Sequence, residues 1–264
     1  GTSSVVDGFY ADRAACYNML RKDINKCGIR ILRADELTPR QSEECKEIFI
    51  SHIMPLLSLM VLDAKHPLMQ FENMKNYMVY DLERDGRRMI GVMAFNSALD
   101  RLYKVGSGKK VRLIPLEELV RAFGHLAFIG YTVKDEMMMR VTRNADFDTH
   151  IDDTDMEHDF SEIMKKKVES RARLNVVRLE VDNENSKLKD FVLKLLKISP
   201  KFCFKDERFF DYKFMYSLGK FLPAEVSAPL KYPPFKGAVS DEIANAPSLI
   251  DLVFHKDLFL SYPY

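Results

Sequence analysis

The sequence predicts a mixed α/β (α+β) fold, because helix-like and strand-like patterns alternate along most of the chain. The most informative stretch is 176–219. It begins with an apolar strand pattern, passes an asparagine-bearing turn and a helical pattern over 187–198, and ends in two aromatic-rich strand candidates, 202–210 and 212–218. The second observation is an Asp-Gly turn at 85–86 between two β-patterned runs, which is a strong hairpin signal.

The N-terminal part contains two predicted helices separated by a short strand. Residues 8–27 have a helical period, and residues 29–33 alternate as a strand. Thr38 is the predicted N-cap of the second helix, with Gln41 as its capping-box partner. That helix is expected to end near Pro55. The side chains expected to face inward are Phe9, Ala15, Cys16 and Met19 in the first helix and Cys45, Ile48 and Phe49 in the second.

In the middle of the chain, the position of one element, the central strand, is not decided by the sequence. Residues 104–112 are rich in glycine and lysine, but the P-loop spacing is absent, so an exposed loop is predicted. A helix is predicted over 115–123. The central strand has two candidates, 125–133 and 137–141, and the sequence does not choose between them.

The totals exclude several classes of protein. Hydrophobic residues make up 47% and charged residues 30% of the chain, as in ordinary globular proteins. The net charge is +1, and no apolar run is long enough to span a membrane, so neither nucleic acid nor membrane is an expected partner. No metal-ligand spacing is found, and we expect free thiols and an intracellular location, cytoplasmic or nuclear. The cysteines are Cys16, Cys27, Cys45 and Cys203.

The composition changes beyond Gly219, where prolines become frequent. We predict an N-terminal helical extension (1–27), a main domain (28–219) and a proline-rich C-terminal arm (220–264). A helix is predicted over 249–259. Its apolar side chains need burial on the domain or on a second copy, which makes a homodimer one possibility.

Short motifs in the main domain resemble the GNAT superfamily of N-acetyltransferases, most of all its arylalkylamine N-acetyltransferase branch. They are the Pro-Leu segment at 54–56, the run Met-Ile-Gly-Val-Met-Ala-Phe-Asn-Ser at 89–97, Asn185 after a late strand, and an aromatic six positions on, Phe191. The resemblance implies a GNAT-like acyl-CoA N-acyltransferase fold, with a central mixed twisted sheet flanked by helices. It also implies transfer of an acetyl group from acetyl-CoA to a small amine.

The same resemblance suggests where acetyl-CoA would bind. Backbone groups of the central strand would hold the pantetheine arm, around Arg140 and Val141. Arg140 and Arg143, ahead of the acidic segment, would supply positive charge for the pyrophosphate outside the family's usual geometry, and Asn185 matches the asparagine of the family.

The candidate catalytic residues differ from the ones that the family commonly uses. Met54 and Val192 stand where members of the family often have a glutamate base and a tyrosine acid, and neither side chain can transfer a proton. Glu180, His52 and Tyr212 are the groups that could replace them.

One departure from the family favours an alternative function. A glycine-free acidic segment, 144–159, stands where the family has a glycine-rich loop, ahead of a helix predicted over 161–173. Its carboxylates would repel a pyrophosphate. The alternative is therefore a catalytically inactive GNAT-like fold that acts as a protein- or ligand-binding module, and the sequence leaves open whether the protein is an enzyme.

Overall fold

The computed structural model describes residues 2–62, 70–108, 110–144, 175–206, 209–233 and 240–259. The chain divides into two compact units, Gly1–Leu222 and Pro223–Tyr264. No helix within the described ranges is long and apolar enough to cross a membrane. The helix predicted over 161–173 and the acidic residues ahead of it lie outside the described residues.

The first helix, α1 (Thr2–Lys26), is longer than predicted and buries a different face. Phe9 and Met19, which were expected to face inward, are 63% and 61% exposed. Tyr10 and Tyr17 are buried instead. They are seven residues apart, which is two helical turns, so both lie on one side of the helix. The predicted inward face is wrong, because the side of α1 that packs on the unit carries Tyr10, which hydrogen-bonds Glu180, and Tyr17, whose ring centroid lies 5.6 Å from that of Phe209.

The second helix, α2 (Pro39–Ile48), begins as the sequence predicts. The backbone N–H of Gln41 donates to Thr38 Oγ1 at 3.4 Å, and the N–H of Thr38 donates to Gln41 Oε1 at 3.0 Å. The capping box is therefore confirmed. Two single turns follow α2, a π-helical turn at Phe49–Ile53 and a 3-10 turn at Met54–Leu56.

Two sheets organise the first unit. The strands described are β1 (Ile29–Ile31), β2 (Ser58–Leu62), β3 (Asn76–Arg84), β4 (Arg87–Ala94), β5 (Leu102–Lys104), β6 (Val111–Pro115), β7 (Thr132–Arg143), β8 (Val176–Val181) and β9 (Cys203–Lys205). The larger sheet has the order β2-β4-β3-β7-β8-β9, antiparallel except between β8 and β9. The smaller sheet has the order β1-β6-β5, with β1 and β6 parallel. The mixed α/β class is confirmed.

Helices cover both faces of the larger sheet. The helix α3 (Leu116–Phe123) packs with α2 on one face, around Met138 of β7. The helix α4 (Lys187–Leu196) packs on the other face, around Met137 and Met139. A third apolar cluster joins α1 to the smaller sheet.

The hairpin and one of the two central-strand candidates are confirmed. Asp85 and Gly86 link β3 and β4 with φ values of 51° and 71°, the left-handed region that a two-residue hairpin turn requires. Candidate 137–141 lies within β7. Candidate 125–133 is wrong, because the chain makes a 3-10 turn at Gly124–Ala127 before β7 begins.

The two aromatic-rich strands predicted at the end of the main domain are also wrong. Among the described residues of 202–210, β9 is the only strand, and residues 212–218 lie largely in a 3-10 helix, Lys213–Lys220. Phe214 is buried while Tyr216 is 92% exposed, so the alternating aromatics do not share one face of a strand.

The second unit contains short helices in its described residues. They are α5 (Ala224–Ser227), a 3-10 turn at Ala228–Leu230, α6 (Asp241–Ala244) and α7 (Leu249–His255). The last is shorter than the predicted helix over 249–259, and the side chain of Ser248 caps its first turn.

Candidate functional site

A row of polar side chains crosses the larger sheet. Asn76 on β3, Arg140 on β7 and Glu180 on β8 are register neighbours, so their side chains point to one face. The guanidinium of Arg140 donates to both carboxylate oxygens of Glu180, from Nε to Oε2 at 2.7 Å and from Nη2 to Oε1 at 3.0 Å. These side chains are 4% and 1% exposed, so this is a buried, two-pronged ion pair.

The helix α1 is attached to this row by a tyrosine. The hydroxyl of Tyr10 donates to Glu180 Oε1 at 2.7 Å. Burial and the negative charge of Glu180 both raise the pKa of Tyr10, so its hydroxyl stays protonated and continues to donate. Glu180 therefore receives hydrogen bonds from a helix and from a strand.

Arg13, one turn further along α1, holds the segment that follows β9. It forms an ion pair with Asp206, and its Nη1 donates to the carbonyl oxygen of Phe210 at 3.3 Å. The same carbonyl oxygen accepts a hydrogen bond from Arg140 Nη2. The guanidinium carbon of Arg13 lies 5.4 Å from the ring centroid of Tyr212, within cation–π range.

A second ion-pair chain continues from Arg140. Its Nη1 lies 3.3 Å from Asp211 Oδ2, and Arg101 Nη1 donates to Asp211 Oδ1 at 3.1 Å. Burial alone would raise the pKa of Asp211, but Arg101, the backbone N–H of Lys213 and Arg140 outweigh it and lower that pKa. Arg101 also pairs with the fully buried Glu117, whose pKa burial raises despite this partner.

Every arginine of this assembly, which we call the buried cluster, is paired with at least one carboxylate. Three arginines face four carboxylates. The cluster is made of Tyr10, Arg13, Asn76, Arg101, Glu117, Arg140, Glu180, Asp206 and Asp211. Its geometry fixes α1, Asp206 and residues 209–212 on the sheet, and an incoming anion would have to displace a carboxylate from an arginine.

An open pocket of about 680 Å³ borders the buried cluster. Its charged lining consists of Arg13, Arg140, Asp12 and Asp211, which leaves no net charge. The remaining lining is largely apolar or aromatic and includes the exposed ring of Phe9. The pocket is suited to an apolar or aromatic group and not to a polyanion. In the described part of the chain, no group of three or more His, Cys, Asp or Glu side chains is arranged to hold a metal ion.

Three of the site residues predicted from the sequence meet here. Arg140 and Glu180 pair directly, and Tyr212 lines the pocket together with Arg140.

The structure places the other four predicted residues elsewhere. Val141 points to the opposite face of β7 and is buried in the core. Arg143, near the end of the same strand, donates from Nε to the carbonyl oxygen of Phe71 at 2.9 Å. His52 and Asn185 are exposed, and no hydrogen bond or ion pair within the described ranges links either to the buried cluster.

Five charged members of the cluster were missed. They are Arg13, Arg101, Glu117, Asp206 and Asp211. Glu117 could have been identified from the sequence, because it is a charged residue within a short apolar stretch predicted as a helix. The others carried none, since Arg13 and Asp206 are 193 residues apart in sequence and only the folded chain brings them together.

The fold and this site define a mixed α/β domain held by buried ion pairs, without the closing strands expected of an acyltransferase. A family model described as the polyphosphate kinase middle domain matches residues 40–218. The chain belongs to this family.

Similar proteins agree with that assignment. The polyphosphate kinase of Bacillus cereus is 27% identical over 246 residues, covering 90% of this chain and 34% of that protein. The polyphosphate kinase of Pseudomonas putida is 24% identical over 255 residues, covering 94% and 34%. The crystal structure of polyphosphate kinase from Porphyromonas gingivalis has a TM-score of 0.62 at 16% identity, covering 95% of this chain and 36% of that one, and this shows a shared fold. The chain spans about a third of the length of these curated relatives.

The GNAT assignment is therefore wrong, and so are acetyl transfer, the inactive GNAT-like binding module and acetyl-CoA as cofactor. The motifs that suggested them are short. In the structure they form a 3-10 turn (Met54–Leu56), the strand β4 with the residues after it, and the start of α4. Such elements occur in many mixed α/β domains, whatever their function.

Proposed function

We propose that this chain is the middle part of a polyphosphate kinase and that the protein containing it transfers phosphoryl groups to or from polyphosphate. The observation that carries the proposal is the match of the polyphosphate kinase middle domain over residues 40–218. ATP is the phosphoryl donor that we propose. Relatives that carry the same name align with nine-tenths or more of this chain in Bacillus cereus and Pseudomonas putida.

We assign the buried cluster a structural part in this function. Phosphoryl transfer needs cationic groups aimed at the charge that develops on the transferred phosphate. Arg13, Arg101 and Arg140 are each already paired with a carboxylate. Breaking such a buried pair costs about 3–5 kcal/mol. We therefore infer that the cluster positions α1 and the segment after β9, and that phosphate is bound by other cations.

The test is an enzymatic assay of the complete gene product that includes this chain. We expect it to move label from the terminal phosphate of ATP into a polymer that an exopolyphosphatase degrades, and to run in reverse when given ADP and polyphosphate. A folded protein that transfers phosphate in neither direction would contradict the proposal.

Two further predictions from the sequence remain proposals. All four cysteines are free thiols in the structure, which supports an intracellular, reducing environment. A homodimer is the second of these proposals, and sedimentation of the 264-residue chain at several concentrations tests it.

A further inference from the structure

A positively charged groove lies between α1 and β1. Asn18, Arg21, Lys22 and Asn25 follow one another at helical spacing, so they share one face of α1. The groove has a volume of about 390 Å³. We call it the basic groove, and its lining is Asn18, Arg21, Lys22, Asn25, Arg30, Ile31 and Glu36.

Arg21 lines the basic groove and is held in place by hydrogen bonds within the protein. Its Nε and Nη2 donate to the carbonyl oxygen of Ile31 at 3.1 and 2.7 Å, and its Nη2 reaches Glu36 Oε2 at 2.5 Å. These bonds hold α1 against the outer edge of β1, and Glu36 offsets the charge of Arg21. Arg21 is therefore positioned by the protein itself and needs no ligand to order it.

The other two cations of the groove are available. Lys22 and Arg30 are exposed, and neither makes an ion pair or side-chain hydrogen bond with any residue that the structure describes. Arg112, the register partner of Arg30 on β6, adds positive charge on the same face of the smaller sheet. The lining carries a net charge of +2, although the whole chain has only +1. Positive charge is thus concentrated at this groove.

We propose that the basic groove binds a linear phosphate polymer, with Lys22 and Arg30 as its principal contacts. This inference rests on the proposed function for the identity of the polymer. Asn18, Lys22 and Asn25 rise along α1 by about one turn each, roughly 5 Å, so a chain lying parallel to the helix meets a donor at each turn. Guanidinium and ammonium groups donate charge-assisted hydrogen bonds to phosphate oxygens.

A polynucleotide fits the same groove less well. Single-stranded nucleic acid is held by aromatic rings on which its bases stack, as well as by cations. None of the residues that line the basic groove is aromatic. The groove can therefore recognise phosphate groups but offers no ring on which a base could stack.

The experiment measures binding of inorganic polyphosphate to the 264-residue chain by titration calorimetry. The double variant Lys22→Gln and Arg30→Gln removes both free cations without breaking a hydrogen bond or ion pair of the described structure. We expect it to weaken binding about tenfold or more and to lower the slope of log affinity against log salt by about 1.5. The matched control replaces Arg87 and Lys187, which are also exposed but lie on β4 and α4, and should change affinity less than about twofold.

The outcomes separate this inference from the proposed function. Equal binding by wild type and the groove variant, or no binding by wild type, overturns the groove and leaves the kinase assay to decide the function. An oligothymidylate of equal charge that binds more tightly than polyphosphate, and loses that affinity in the groove variant, overturns the choice of polymer. Loss of polyphosphate binding in the groove variant alone supports the inference, even if the kinase assay fails.

Discussion

Arginines occur in two contrasting settings in the first unit. In the buried cluster Arg140 is 4% exposed and shares the carboxylates of Glu180 and Asp211. In the basic groove Arg30 and Lys22 are exposed and have no acidic partner within the described residues. A buried guanidinium requires a partner of opposite charge, since its desolvation is costly. A solvated cation is stable without such a partner and is therefore available to bind a ligand. The number of arginines at a site therefore says less about anion binding than the number left unmatched.

The largest effect should come from breaking the central pair of the buried cluster. Glu180→Gln leaves Arg140 with only Asp211 as a charged partner, and we expect the free energy of unfolding to fall by about 3 kcal/mol. Urea denaturation measures it. The matched control is Glu83→Gln, which breaks the half-exposed pair of Glu83 with Lys134 on the same sheet and should cost less than about 1 kcal/mol. Equal losses for the two variants would remove the distinction between buried and solvated pairs.

A smaller loss is expected from Tyr10→Phe. This variant removes one hydrogen bond to the charged Glu180 and leaves its pairing with Arg140 intact, so the free energy of unfolding should fall by about 2 kcal/mol. Tyr216→Phe is the control, because the side chain is 92% exposed. If thermal or urea unfolding cannot tell the two variants apart, α1 is not held by Glu180.

The next effect concerns two carboxylates, Asp211, which pairs with arginines, and Glu136, whose pKa is set mainly by burial and by neighbouring carboxylates. Burial, Asp182 and Asp135 raise the pKa of Glu136 from 4.5 to about 7, and Arg121 offsets this only in part. The folded state then binds the proton more tightly than the unfolded state, so Glu136 should reduce stability as pH rises from about 4.5 through 7. Asp211, with its lowered pKa, should do the opposite and lose its contribution as pH falls through that pKa.

Two variants separate these contributions. Glu136→Gln should flatten the stability profile between about pH 4.5 and 7. Asp211→Asn should lower stability at neutral pH, with little effect in acid. Urea unfolding across this range of pH measures both. A profile unchanged by either substitution would show that neither carboxyl group titrates differently in the folded and unfolded states.

The smallest effect on stability should come from the basic groove. Removing the charges of Lys22 and Arg30 should change the free energy of unfolding by less than about 0.5 kcal/mol, because both are solvated. Polyphosphate should nevertheless raise the Tm of wild type more than that of this variant, since a ligand stabilises the state that binds it. A large loss of stability in the variant without ligand would mean that the groove, like the buried cluster, is structural.

Capping and turn signals in the sequence predicted local structure correctly. The capping box of Thr38 and Gln41 and the Asp85-Gly86 hairpin need only neighbouring residues, and both are present. The aromatic run after β8 was misread, because an alternating pattern does not say whether a strand partner is available. The acetyltransferase assignment failed for a similar reason, since short motifs do not contain the order of strands in a sheet.

The buried cluster and the basic groove also differ in how far the sequence alone predicts them. Arg140 and Glu180 were both named from the sequence, but their pairing depends on the register of β7 against β8. The basic groove has a signal that could have been read, the helical spacing of Asn18, Arg21, Lys22 and Asn25. It was missed because an overall charge of +1 hides a local excess.

The contacts of α1 with the buried cluster, including the bond from Arg13 to the carbonyl oxygen of Phe210, also constrain the order of folding. The contacts of α1 with the cluster span 170 residues between Tyr10 and Glu180 and 197 between Arg13 and Phe210. During synthesis, this early helix cannot reach these partners until nearly the whole first unit has left the ribosome. Contacts between such distant residues slow folding, because the entropy of closing the loop is lost before the contact forms. The docking of α1 is therefore expected to be a late step, and until it occurs Tyr10 and Tyr17 stay open to chaperones or to aggregation.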